Sequence, residues 1–260
     1  MKISFYEEFP TKENLDKIKL INFNTKIIAA AKSLREFSST KNTIKKYNNN
    51  NIKEIIYWPI LEKDEGYWFS AFTKNSALKR TINELQQNKK PLTVMWDAEL
   101  PFYKSLILRQ AFNYFSNRKI ILDFFRNAGE YNIKILTSEY PLESKFLRNL
   151  LSDVLLISFD PIKYNNKKIA MLYTSLLKDY QNIKNFLEGQ LKIGKNIFGD
   201  NFIVALGTIA FGINGNEPIL KPEDLERDFE IAKNNGINNV VIYRLSGLNK
   251  EYAKIVKKFL

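Results

Sequence analysis

The sequence predicts a single-domain (β/α)8 barrel of the TIM type, with residues 1–260 as one unit, and three observations carry that prediction. Short apolar runs alternate with longer segments of helical period. The alternation repeats eight times and ends on a helix. The 260 residues hold eight such units with little to spare. The runs are rich in Ile, Val and Leu without strict alternation, as expected of parallel strands buried on both faces. An open, doubly wound parallel sheet is the alternative, needing helices on both faces but no closure.

In chain order the predicted strands are Ile3–Tyr6, Lys26–Ala30, Glu54–Trp58, Leu92–Trp96, Ile133–Thr137, Ile169–Tyr173, Ile203–Thr208 and Asn239–Tyr243. Val154–Ser158 also reads as a strand. It is set aside because Thr174 and Ser175 would lead from Ile169–Tyr173 directly into a helix at Leu176–Leu191, leaving Val154–Asp160 as a connection at the opposite end of the barrel. Helices are expected over Ser33–Tyr47, Lys74–Gln87, Pro222–Asn235 and Asn249–Phe259, and Tyr103–Glu130 is long enough for two. Pro222-Glu223-Asp224 suits a first turn, and Gly236 suits a helix stop. Asn48–Asn51 reads as a surface turn. No G-x-G-x-x-G follows the first strand, so no dinucleotide site is expected.

Composition excludes more than it suggests. The chain contains no Cys and no His, which rules out disulfides, Cys/His zinc sites, thiol nucleophiles and imidazole bases. Its charge is +12, but only eight of the 40 cationic residues are Arg and the Lys residues are spread along the chain. That pattern singles out no nucleic-acid face. The N-terminus turns acidic at Glu7-Glu8 before an apolar core develops, and no run is long enough for a membrane span. The expectation is a cytoplasmic protein without membrane contact.

Carboxylates are left as the natural catalytic groups, and they gather at strand ends. Strand one ends in Glu7-Glu8-Phe9-Pro10, strand four in Asp97-Ala98-Glu99-Leu100-Pro101, and strand five in Glu139-Tyr140-Pro141. Proline stops the ladder and holds the preceding residue extended, so each Glu sits on a stiff exit. In a barrel these ends form the functional face. Paired carboxylates there can cleave a glycosidic bond without His or metal. Glu99 and Glu139 are the preferred pair, with Asp97, Glu8 and Glu217 in support. Trp58, Tyr67, Trp68, Trp96 and Tyr140 fall at the same end and could stack on sugar rings. Packing over the barrel mouth would use the same rings. Arg244, at the end of strand eight, could hold an anionic group or tie the carboxylates together.

The stretch Asn216-Glu217-Pro218 resembles the Asn-Glu-Pro acid/base signature of the large barrel clan of retaining glycoside hydrolases. The resemblance implies an acid/base role for Glu217, with Asn216 beside the substrate. In that clan the triplet ends strand four, whereas here it follows strand seven, and the clan's mouth histidines have no counterpart. The strand-end phrases also resemble those of prokaryotic barrel proteins without an assigned activity.

The leading expectation is hydrolysis of a glycosidic bond in a small-molecule or oligosaccharide substrate, with no cofactor. A second reading is an Mg²⁺- or Mn²⁺-dependent enzyme on a phosphorylated sugar, using carboxylate ligands and the glycines at 207, 212 and 215. A third is a non-catalytic barrel that binds sugar or nucleic acid.

Overall fold

The structure, a computed structural model, describes residues 1–141, 150–177 and 180–260. Eight parallel strands close into a barrel in sequence order: β1 Lys2–Glu7, β2 Thr25–Ala31, β3 Ile52–Pro59, β4 Leu92–Asp97, β5 Ile133–Glu139, β6 Lys167–Met171, β7 Phe202–Gly207 and β8 Asn239–Tyr243. Every strand expected from the apolar runs is present, so the open sheet is excluded. Val154–Ser158 is not a strand. Leu150–Leu155 forms a π-helical turn instead, and residues 155–159 pack back toward the ends of β3 and β5. There the Ala71 N–H donates to the Leu155 carbonyl at 3.1 Å, and the Phe159 N–H donates to the Glu139 carboxylate at 3.0 Å. This connection therefore lies at the C-terminal strand ends, not at the opposite end.

The chain divides into two compact units. One comprises Met1–Ala30, Ser38–Ile56 and Ile169–Leu260; the other comprises Ala31–Phe37 and Tyr57–Lys168. In the first unit, β1 lies between β2 and β8, with Phe5 opposite Ile27 and Ile242, and Tyr6 opposite Tyr243. Helices Pro222–Asn234 and Lys250–Lys258 cover this part, with Phe229 stacked on Phe259. Their ends follow the local chemistry. Pro222 opens one with Glu223 and Asp224 in its first turn, and Gly236, at φ +70°, follows its end. Asn249 caps the other by accepting the Glu251 and Tyr252 N–H groups. Helix Tyr180–Phe198 covers much of the expected Leu176–Leu191; residues 178–179 of that expectation lie outside the described residues.

In the second unit, β4 and β5 pair along their length, with Trp96 opposite Thr137 and Asp97 opposite Ser138. The long segment after β4 does hold two helices, Ser105–Arg109 and Tyr114–Asn127. Trp96 packs against Phe124 and Phe125 of the longer helix, which fixes the helix-facing side of β4. Tyr57 stacks on Phe37 and pairs in register with Val94, so it shares that side. Because side chains alternate along a strand, Trp58 and Asp97 point to the inner face.

Candidate active site

On the inner face of the second unit, Asp97 ends β4 as a buried carboxylate. Its backbone is pinned by the Phe69 N–H, which donates to the Asp97 carbonyl at 2.9 Å, and by the next residue, Ala98, whose N–H donates to the Ser138 carbonyl at 2.9 Å. Glu99, two residues on, is half-buried and accepts a hydrogen bond from the Tyr140 hydroxyl. Burial first, then the negative charges of Glu99 and Asp97, push the Tyr140 phenol well above its ordinary range, so it remains a proton donor. One phenol thus senses both carboxylates. Trp58, next to last in β3, shares the face of Asp97 but is buried, so it presents no open ring surface to a sugar.

The aromatic loop after β3 is a built structure. The Leu61 N–H donates to the Tyr67 carbonyl, the Tyr67 N–H to the Glu62 carbonyl, and the Phe102 N–H to the Gly66 carbonyl, at 2.9–3.1 Å. Glu65 holds Arg80 through two hydrogen bonds. Tyr67 is buried at φ +66°, and half-buried Trp68 lies edge-on to it and against Phe102. Trp68 and Phe72, both half-buried, are rings of this loop with surface to offer a ligand.

Two expected site residues are elsewhere. Trp96 is fully buried, stacked on Phe69 with centroids 4.1 Å apart and bounded by Phe124 and Phe125, so it presents no face to a sugar. Glu139 shares the parity of Thr137, which is paired with Trp96, so it too points toward the helix layer. It is 1% exposed and forms an ion pair with Lys168 at 2.6 Å; Lys168 also donates to Ser158 Oγ at 2.9 Å. The reason is geometric: Glu139 lies an even step from Thr137, and Glu-x-Pro spacing does not report which face a side chain takes. Glu99 and Glu139 therefore do not form a catalytic pair.

The first unit holds a separate group. Glu8 accepts a hydrogen bond from the Tyr243 hydroxyl, while adjacent Glu7 points the other way. Glu7, which the sequence did not single out as a site residue, is enclosed by Arg244 Nη1 at 2.9 Å, the Phe9 and Ser246 N–H groups at 2.9 Å, and Asn14. Burial outweighs the pull of Arg244 and these N–H donors and pushes its carboxyl up to about 7. Arg244 also lies over the Phe9 ring, 4.6 Å from its centroid. It therefore holds Glu7 at the strand end, and its ion pair is with this carboxylate rather than with the candidate carboxylates it was expected to tie together. The signal that could have revealed Glu7 is the adjacency of two carboxylates at a strand end, since alternation sends one under the helices.

The glycine-rich loop after β7 closes over Tyr243. A Cβ on Gly212 would lie 2.0 Å from the Tyr243 hydroxyl, so only glycine allows this approach. Gly207 has φ +134°, with the Tyr243 carbonyl 2.6 Å from where its Cβ would be. Glu217 accepts the Gly212 and Asn214 N–H groups at 2.9 and 3.0 Å. Partial burial acts to raise its carboxyl, but the backbone donors prevail and hold it below the ordinary range. An ionised carboxylate clamping its own loop is poorly placed to deliver a proton, so the acid/base role implied by Asn216-Glu217-Pro218 is not supported. Asn216 is exposed on the same loop.

Comparison with solved structures places this architecture. The chain aligns over 99% of its length with 99% of a class V chitinase from Pseudomonas fluorescens Pf-5, at TM-score 0.61 and 8% identity. The likeness is one of fold, a closed eight-stranded parallel barrel. A chitinase from Chromobacterium violaceum matches over 99% of this chain and 98% of its own, at TM-score 0.60 and 9% identity. A D-tagatose 3-epimerase-like protein matches over 100% and 97%, at 0.58 and 14%. No family model and no curated protein sequence matches the chain. Among the described residues, no helix is long and apolar enough to cross a membrane, and no three acidic side chains gather as a cation site.

Proposed function

We propose that the protein is a carbohydrate-active hydrolase acting at the C-terminal end of β4, with Glu99 as general acid and Asp97 as the neighbouring carboxylate. The observation that carries this reading is the Tyr140 hydroxyl, which donates to Glu99 while within the field of Asp97. In the reaction, Glu99 gives its proton to the glycosidic oxygen as the bond to the anomeric carbon breaks. The negative charge of Asp97 offsets the positive charge developing on the sugar ring. Tyr140 fixes the orientation of Glu99, and half-buried Trp68 offers aromatic surface to the ring. Water, or a group on the substrate itself, completes the displacement, since Glu139 is committed to Lys168.

The solved neighbours described as chitinases support a glycan as substrate class. A panel of aryl glycosides, including 2-acetamido sugars, tests the reading. Glu99→Gln should lower kcat at least a hundredfold, Asp97→Asn should lower it strongly, and Tyr140→Phe by about tenfold. Turnover unaffected by Glu99→Gln would overturn the assignment. The epimerase-like neighbours favour including sugars and sugar phosphates with Mg²⁺ or Mn²⁺ in the same panel. Metal-dependent turnover there, insensitive to Glu99→Gln, would support the second reading.

A further inference from the structure

The segment after β4 carries an apolar display that the proposed chemistry does not use. Leu108, Phe112 and Phe115 are 80%, 97% and 80% exposed, and Tyr103 is 48% exposed. The segment beneath them is firmly held. Leu106 is buried, and buried Asn117 donates to the Ala71 and Thr73 carbonyls at 2.9 and 2.7 Å while accepting from Asn75 at 2.7 Å. Gln110 accepts from the Asn113 side chain at 3.0 Å and from the Asn75 N–H at 3.3 Å. A polar clamp thus fixes the underside while large hydrocarbons are held outward. Large apolar side chains held exposed this close in sequence on a firmly anchored segment point to an interaction face.

Its charge identifies the partner. From Pro101 to Leu122 the chain carries Lys104, Arg109, Arg118 and Lys119 and no acidic residue. We propose that this face docks on an anionic lipid bilayer, with Leu108, Phe112 and Phe115 entering the headgroup boundary and the cations meeting lipid phosphates. A two-fold contact with a second copy would set these cations against their own counterparts. A glycan or nucleic-acid strand would stack on rings but has no use for Leu108. The contact is with the surface and needs no spanning helix, so it departs from the sequence-based expectation of no membrane contact.

The test is flotation of the full chain with two vesicle types: phosphatidylcholine alone, and phosphatidylcholine with phosphatidylglycerol at about one part in three. The protein should float with the mixed vesicles and remain behind with the neutral ones. Phe112→Ser and Phe115→Ser should each weaken binding about tenfold, and Arg109→Ala several-fold, while Lys19→Ala, on an exposed lysine elsewhere, should bind as wild type. Phe112 is so exposed that its replacement removes no core contact. No flotation with mixed vesicles would overturn the proposal. So would binding indifferent to both Phe substitutions, or weakened as much by Lys19→Ala. A dimer in solution that Phe112→Ser dissolves, without vesicle binding, would assign the face to a second copy instead.

Discussion

Lys168→Met should destabilise the protein by about 3 to 5 kcal/mol, the usual consequence of leaving one member of a buried ion pair without its partner. Lys168 and Glu139 are 2% and 1% exposed and 2.6 Å apart. Without the ammonium, Glu139 keeps the Phe159 N–H at 3.0 Å as its described donor, too little for a carboxylate taken out of water. Glu139→Gln takes the paired carboxylate away from the buried Lys168 ammonium, which still donates to Ser158 Oγ at 2.9 Å. In a chain of this size each variant should melt roughly 10 °C lower. The double variant Lys168→Met/Glu139→Gln should cost about 2 kcal/mol less than the sum of the singles, because both members of the ion pair leave together. Urea unfolding of all four proteins at neutral pH closes the cycle. Strictly additive costs, or singles below about 1 kcal/mol, would refute the buried-lock account. Loss of turnover in Glu139→Gln with an unchanged melting point would return Glu139 to the candidate site.

Stability should fall as pH rises from about 4.5 to about 7, because folded Glu7 holds its proton through a range in which the unfolded chain has released it. The span corresponds to about 3 kcal/mol, complete below the lower bound and lost above the upper, and Glu7→Gln should flatten that part of a pH–stability profile. Gly212→Ala should cost about 1 to 3 kcal/mol by driving a methyl into the Tyr243 hydroxyl, and Tyr243→Phe in the same chain should recover part of it in thermal melts. Glu217→Gln should leave glycoside turnover near wild type while speeding amide exchange at Gly212 and Asn214, whose N–H groups it holds.

The strands were legible because each is a compact Ile/Val/Leu run between polar stretches, and the observed bounds move by only a residue or two, as from Ile3–Tyr6 to Lys2–Glu7. Val154–Ser158 misled for the same reason, since a short apolar run cannot distinguish a strand from a buried connection. Asp97, Glu99 and Tyr140 are candidates by their position at strand ends, and Tyr140 interacts with both carboxylates. Trp96 and Glu139 were proposed on the same evidence, and it failed for them because the pairing register, absent from a single sequence, decides which face each takes. The Glu217 carboxylate was misread for a different reason: its partners are the N–H groups of its own loop, visible only once the loop is folded.

Strand parity then sorts the carboxylates by what they can do. Glu7 on β1 and Glu139 on β5 both point under the helices, and each is met by a cation from the next strand of the barrel, Arg244 just past β8 and Lys168 on β6. A carboxylate in that layer is cut off from water and persists only when paired and hydrogen-bonded, so it serves to lock adjacent strands. Glu8 and Asp97, on the opposite parity, have a phenol nearby instead: Tyr243 donates to Glu8, and Tyr140 lies in the field of Asp97. A phenol whose ionisation is pushed out of range stays a neutral donor, so it orients a carboxylate without tying it to a fixed positive charge and leaves it open to a substrate. The division can be checked on the first unit alone. Arg244→Met should lower the melting point, as loss of the Glu7 partner requires, whereas Tyr243→Phe should have the smaller effect on melting and act on Glu8. If Tyr243→Phe proved the more destabilising of the two, parity would not be what separates locking carboxylates from available ones.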